Sequence, residues 1–147
     1  MPSIRLIKVG MVRDEAAPSK AGPIGKPADI VRFLRSMDFA TSDRESFVVV
    51  HLSGRNAPIS VEVVSTGSLN ASLVHPREVF KAAILANAAT IILAHNHPSG
   101  DTTPSRDDLE ITKRLREAGE LIGIEVLDHI IVAPDGESLS FKERGLF

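Results

Sequence analysis

Two short runs, Phe47-Val-Val-Val-His-Leu52 and Thr90-Ile-Ile-Leu-Ala94, are apolar and rich in β-branched residues, without polar alternation. A strand buried on one face alternates, whereas one covered on both faces does not, so each run reads as a central strand between two layers. Helical patterns that could supply those layers flank the runs. Residues 28–39 place Ile30, Val31, Phe33, Leu34 and Met37 at helical spacing behind Pro27, and Pro76 opens a second helix over residues 76–88. In that second helix Val79, Phe80, Ala83, Ile84 and Ala88 form the apolar stripe. A third helix starts near Ser105 and runs to about Glu120, with Gly123 helping to end it.

Further strands complete the pattern. After the turn Arg55-Asn56-Ala57-Pro58, residues Ile59, Val61 and Val63 alternate with Ser60 and Glu62, as in a half-exposed strand paired to the preceding one. Residues 124–133 read as a strand, Pro134-Asp135-Gly136 as a turn and Ser138 to Phe141 as a last short strand. Near the start, residues 3–12 alternate loosely as a first strand, and the Pro- and Gly-rich residues 14–27 read as a loop. The order strand–helix–strand–strand–helix–strand–helix–strand–strand, with no internal repeat, predicts one layered α/β (α+β) domain with a mixed central β-sheet flanked by helices.

A chain of 147 residues can enclose a real core, here built mainly from Val, Ile, Leu and Ala because Tyr and Trp are absent. The formal net charge of −2 excludes a globally basic nucleic-acid binder. Zero cysteines exclude disulfides, thiolate–zinc clusters, iron–sulfur clusters and a cysteine nucleophile together. Any metal chemistry must therefore use His and carboxylate ligands. The N-terminus MPSIRLIKVG lacks the pattern of a signal peptide, and no apolar run approaches the roughly 20 residues that span a bilayer, so the expectation is a cytoplasmic chain with no membrane partner.

The informative segment is HNHPSGDTTPSRDD, residues 95–108. On an extended chain, residues two apart point to the same side, roughly 6.5–7 Å apart along it. His95 and His97 can thus converge on one ion where a buried strand gives way to a loop. Asp108, on the first turn of the following helix, becomes a third ligand if the intervening loop folds back. Three protein ligands leave a fourth tetrahedral position for water, whose pKa on zinc falls to about 7. An ordinary reading competes, because Ser105-Arg-Asp-Asp108 is nearly a capping box, with the serine at N-cap and a carboxylate at N3. The two readings are compatible for Ser105 but compete for the carboxylate of Asp108.

His-x-His, seven residues, then Ser-x-x-Asp resembles the JAMM (MPN-type) metalloprotease signature. The fuller text GSLNASLVHPREVFKAAILANAATIILAHNHPSGD, continuing to DHIIVA, is similar to the RadC family, whose JAB-type domain belongs to that superfamily. The resemblance covers roughly residues 43–141 and implies a JAB/MPN-like (cytidine-deaminase-like) fold over residues 43–147, with the N-terminal strand, loop and helix of residues 1–42 joined to it. It implies one Zn2+ per chain on His95, His97 and Asp108, and a Ser105 hydroxyl that helps hold the oxyanion. It also implies an upstream glutamate at a strand start as general base and acid. Glu45 matches best by strand order; Glu62 and Glu78 are the alternatives, and Glu78 sits at a helix start where a carboxylate suits the dipole anyway.

The activity implied is a zinc-dependent hydrolase cleaving a peptide or isopeptide bond, with a peptide or ubiquitin-like protein as substrate. Non-catalytic MPN-type domains typically lack part of the set, so its completeness here favours an active site. The family's association with DNA repair supplies the alternative, a binding module that keeps the metal but acts through DNA or DNA-repair proteins. A metal-dependent nuclease of HNH type is disfavoured, because those residues are normally spread over tens of positions. His75 reads as a helix-start residue, and His51 and His129 as hydrogen-bonded strand imidazoles, with His129 also placed to orient a ligand. Lys113, Arg114 and Arg116 read as a solvated face, and Gly100 and Gly119 as conformational residues of the loop and the helix end.

Overall fold

A computed structural model of the chain describes residues 22–67 and 73–147. The strand expected over residues 3–12 and most of the expected loop 14–27 lie outside them. Helix α1 (Pro27–Arg35) is followed by a 3-10 turn (Asp38–Thr41), strands β1 (Ser46–Leu52) and β2 (Pro58–Thr66), helix α2 (Pro76–Leu85) and strand β3 (Thr90–Asn96). Helix α3 (Arg106–Ile122) and strands β4 (Glu125–Val132) and β5 (Ser138–Ser140) complete the order. Among the described residues the expected elements are present with boundaries shifted by a few residues. The first helix ends at Arg35, so Met37 leaves its stripe, and the second ends at Leu85, with Asn87 in the left-handed region. No helix among the described residues is long and apolar enough to cross a membrane.

The sheet has five strands in the order β2-β1-β3-β4-β5. It is mixed: β3 and β4 run parallel, joined by the α3 crossover, and the other neighbours are antiparallel. The unbroken apolar runs behave as their lack of alternation demands. Phe47, Val49, Ile91 and Leu93 pack with Val79 and Phe80 of α2 and Ile111 and Leu115 of α3. Val48, Val50, Ile92 and Ala94 pack with Ile30, Phe33 and Leu34 of α1. Arg35 ties α1 down further by donating to the carbonyls of Ala133 and Glu137 at 3.1 and 3.0 Å.

Two irregularities adjust which face a side chain meets. In β2 the register skips Val64, which joins the α2/α3 core, while Val63 at the rim stays 57% exposed. In β4 the register skips Leu127, so Val126 faces the α2/α3 core and Ile130 the α1 core, although four residues apart they would otherwise share a face. This bulge turns His129 towards α3.

Gly123 (φ +87°) closes α3 in the left-handed conformation, so the expected helix-end role belongs to it and not to Gly119. Gly119 serves close approach instead: a Cβ there would lie 2.5 Å from the Ile124 carbonyl oxygen and 3.3 Å from Phe80. Gly119→Ala is therefore expected to destabilise the fold by about 1–3 kcal/mol, read as a lower urea midpoint at unchanged slope.

His51 is buried in β1, its Nδ1 2.7 Å from the Ser60 hydroxyl, and desolvation lowers its pKa to about 4. The folded ring stays neutral where the unfolded one takes up a proton, so its contribution is complete above pH 6.5 and is lost as pH falls towards 4. The loss is expected to reach about 2–3 kcal/mol, and His51→Gln should flatten that part of the stability–pH curve measured by chemical denaturation.

Candidate metal centre

The centre forms where β3 ends. His95 is the penultimate residue of that strand and is fully buried on the α2/α3 side, opposite Phe47 of β1. The chain then continues the β4 ladder for one more bond, from the His97 N–H to the Val132 carbonyl at 2.9 Å. It turns back at Gly100 (φ +88°), whose N–H donates to the His97 carbonyl at 3.1 Å. The turn brings the Asp101 carbonyl 2.7 Å from His97 Nδ1, which must donate to it and so presents Nε2 to the interior.

The loop delivers Ser105 as the N-cap of α3. Its Oγ accepts from the Asp108 N–H at 3.0 Å, and Asp108 Oδ2 accepts from the Ser105 N–H at 2.7 Å. The capping box is real, yet it does not withdraw the carboxylate from the centre. Asp108 Oδ1 lies 3.2 Å from His95 Nε2, and Oδ2 lies 3.4 Å from His97 Nε2. The expected competition does not arise, because one oxygen of the buried carboxylate reaches both the cap and a ring while the other reaches the second ring.

The two Nε2 atoms are 2.8 Å apart, and the ligand atoms of His95, His97 and Asp108 all lie within 4.8 Å of one another. Ligands about 2.0–2.1 Å from a tetrahedral ion stand about 3.3 Å from each other, close to these separations. The donor set also suits an ion: two imidazole nitrogens and an anionic oxygen, walled from water, repel one another unless positive charge lies between them. Burial raises the pKa of Asp108, but the His95 and His97 rings against it, with the Ser105 N–H, outweigh this and hold the carboxyl well below the usual range. His97 is raised, chiefly by its hydrogen bond to Asp108 against the opposing effect of burial, with smaller help from the Asp101 carbonyl and the charges of Asp108 and Glu45. The three residues form a group that could hold a metal ion.

Glu45 immediately precedes β1, half-buried, at the end of the strand that runs beside His95, and its charge acts on the His97 ring. Glu62 lies on the outer strand, opposite Val49. Burial raises its pKa, with Lys81 and Glu78 of α2 as its charged neighbours, so both alternative glutamates group with α2. Asn96, between the two histidines, received no role from the sequence. Its Oδ1 accepts from the Ser46 N–H at 2.7 Å and its Nδ2 donates to the Arg44 carbonyl at 2.8 Å, clamping the backbone on both sides of Glu45. A buried Asn at a strand end was the available signal.

His129 touches the centre directly, with Nε2 2.7 Å from His95 Nδ1. Thr112, which sequence reasoning passed over, stands 2.5 Å from the other nitrogen of His129. Its position one helical turn beyond Asp108 was the readable clue. His75 is the N-cap residue of α2, without a side-chain cap bond. The basic cluster is less solvated than expected: Lys113 is exposed, but Arg114 and Arg116 are half-buried, and Arg116 stacks 4.1 Å over the Phe147 ring.

Asp108→Asn keeps an acceptor for the cap while removing the anion. It is expected to lower metal content after dialysis more than it lowers thermal stability, and His97→Ala should lower metal content as well. Elemental analysis checks both, and full occupancy in either variant would remove that residue from the ligand set.

The chain matches the model of the RadC-like JAB domain over residues 24–146. A UPF0758 protein of Caldanaerobacter subterraneus subsp. tengcongensis is 52% identical over 124 residues, which cover 84% of this chain and 52% of that protein. A UPF0758 protein of Symbiobacterium thermophilum is 53% identical over 135 residues, covering 92% of this chain and 57% of that protein. One from Rubrobacter xylanophilus is 56% identical over 124 residues, covering 84% and 53%. The chain thus spans about half the length of the curated relatives it matches. Sequence likeness of this extent, over a fold that brings His95, His97 and Asp108 together, means that the chain belongs to the RadC-like JAB domain family.

Proposed function

We propose that this domain is a zinc-dependent hydrolase of the JAMM/JAB type that cleaves an amide bond in a peptide or a ubiquitin-like protein conjugate. The observation that carries the reading is the convergence of His95, His97 and Asp108 at the end of β3, with Glu45 and Ser105 at its margin. Two imidazoles and one carboxylate leave a fourth position open, the pattern of catalytic rather than structural zinc sites. When bound, zinc supplies Lewis acidity and lowers the pKa of a coordinated water to about 7.

The protein's own groups divide the remaining work. Glu45 takes a proton from the attacking water and passes it to the leaving nitrogen, so one carboxylate serves as base and then acid. Its half-buried position beside the His97 ring suits this role. Ser105 Oγ already accepts the Asp108 N–H, which leaves its hydroxyl hydrogen to donate to the carbonyl oxygen as negative charge develops there. The N-terminus of α3 adds a favourable dipole at the same place.

Zinc-loaded protein is expected to cleave members of a peptide or ubiquitin-like fusion library. Glu45→Gln should abolish turnover while retaining zinc. Ser105→Ala should lower the rate about 10²–10³-fold and cost about 1 kcal/mol of stability through the lost cap, with zinc affinity little changed. Tight DNA binding with no amide hydrolysis would replace this reading with that of a DNA-repair-associated binding module.

A further inference from the structure

His95, His129, Thr112 and Asp108 form a closed chain of polar contacts that the proposed hydrolysis does not use. His95 Nδ1 lies 2.7 Å from His129 Nε2, His129 Nδ1 lies 2.5 Å from Thr112 Oγ1, and Thr112 Oγ1 lies 2.7 Å from the Asp108 carbonyl oxygen. The last link sets the direction of all the others. A carbonyl only accepts, so the single hydroxyl hydrogen of Thr112 is committed to Asp108. Thr112 Oγ1 then has only lone pairs to offer, and His129 Nδ1 must carry a hydrogen. His129 is fully buried between the Phe47 and Phe141 rings, where no water meets an added charge, so its ring carries a single hydrogen. With Nδ1 protonated, His129 Nε2 is an acceptor, and the hydrogen between the two rings belongs to His95 Nδ1. With that hydrogen on Nδ1, the lone pair His95 can offer a metal lies on Nε2, the atom that faces His97 and Asp108.

We propose that His129 and Thr112 are positioning residues that lock His95 in the Nδ1–H tautomer, so that Nε2 is already a metal donor before any ion arrives. The inference rests on reading the centre as a metal site. The relay is also rigid. The His129 ring stacks on Phe141 with centroids 4.4 Å apart and meets the edge of Phe47 at 5.6 Å. It begins and ends on two members of the ligand set, since Thr112 is tied to the backbone of Asp108 one helical turn earlier.

Three variants test it. His129→Phe keeps an aromatic ring against Phe141 but removes the acceptor for His95. Thr112→Val keeps the buried shape but strands the His129 Nδ1–H; the other tautomer of His129 is then favoured, and His95 is driven to protonate Nε2. Thr112→Ser restores the hydroxyl. Zinc affinity, from competition with a chromophoric chelator, is expected to fall about 10–100-fold in His129→Phe and by a smaller factor in Thr112→Val, and to recover in Thr112→Ser. In metal-free protein, long-range 1H–15N spectra should show His95 as Nδ1–H in the native chain and in Thr112→Ser, but not in Thr112→Val. Native-like zinc affinity in folded Thr112→Val and His129→Phe, or a native His95 protonated on Nε2, overturns the proposal. If His129→Phe does not fold, the Thr112 pair decides alone. A native chain with no zinc affinity overturns the metal reading, while the spectra, recorded without metal, still decide the relay.

Discussion

A carboxylate and two imidazole nitrogens packed into a nearly dry recess make the costliest arrangement in this domain. Unshielded charge of this kind is stable only when compensating charge or hydrogen bonds meet it on every side. Much of the surrounding structure meets that need. The capping box holds Asp108 from the backbone side, the Asp101 carbonyl takes the outer nitrogen of His97, and His129 takes the outer nitrogen of His95. Each ligand is gripped in this way, which leaves Nε2 of both histidines and the Asp108 carboxylate facing the centre. The recess is organised by hydrogen bonds that an ion need not create.

The layers around the recess explain why it can be rigid. β3 lies between β1 and β4 and is covered on one face by α1 and on the other by α2 and α3, so its end is fixed in three dimensions. α3 then returns the chain so that its first turn stands over that strand end, where the helix dipole favours anionic groups. Asn96 extends the same rigidity sideways by clamping the segment that carries Glu45. Functional groups on a short loop between a central strand and a long helix thus inherit the order of both.

Several features were readable from local pattern. Phe47–Leu52 and Thr90–Ala94 lack alternation because both their faces are covered, and the two cores on either side of the sheet bear this out. The ligand group was legible because all three members fall within one strand–loop–helix segment, where short-range geometry restricts their placement. Gly119 was misjudged for the opposite reason: its constraint comes from the Ile124 carbonyl after the helix has turned, and no local spacing encodes that approach. Arg116 was misjudged similarly, since its partner Phe147 is far from it in sequence.

The division has a physical origin. Periodicity and capping chemistry act over a few residues, so the amino-acid order alone specified the strands, the helices, the Ser105 cap and a His-x-His pair able to meet an aspartate. The tautomer of His95, the clamp on Glu45 and the neutrality of His129 depend on groups brought together across the sheet and from α3. They depend as well on a single skipped residue in β4 that turns His129 towards α3. Such contacts exist only after packing has removed water and chosen one face for each side chain, and for that reason they belong to the folded domain and not to any stretch of its sequence.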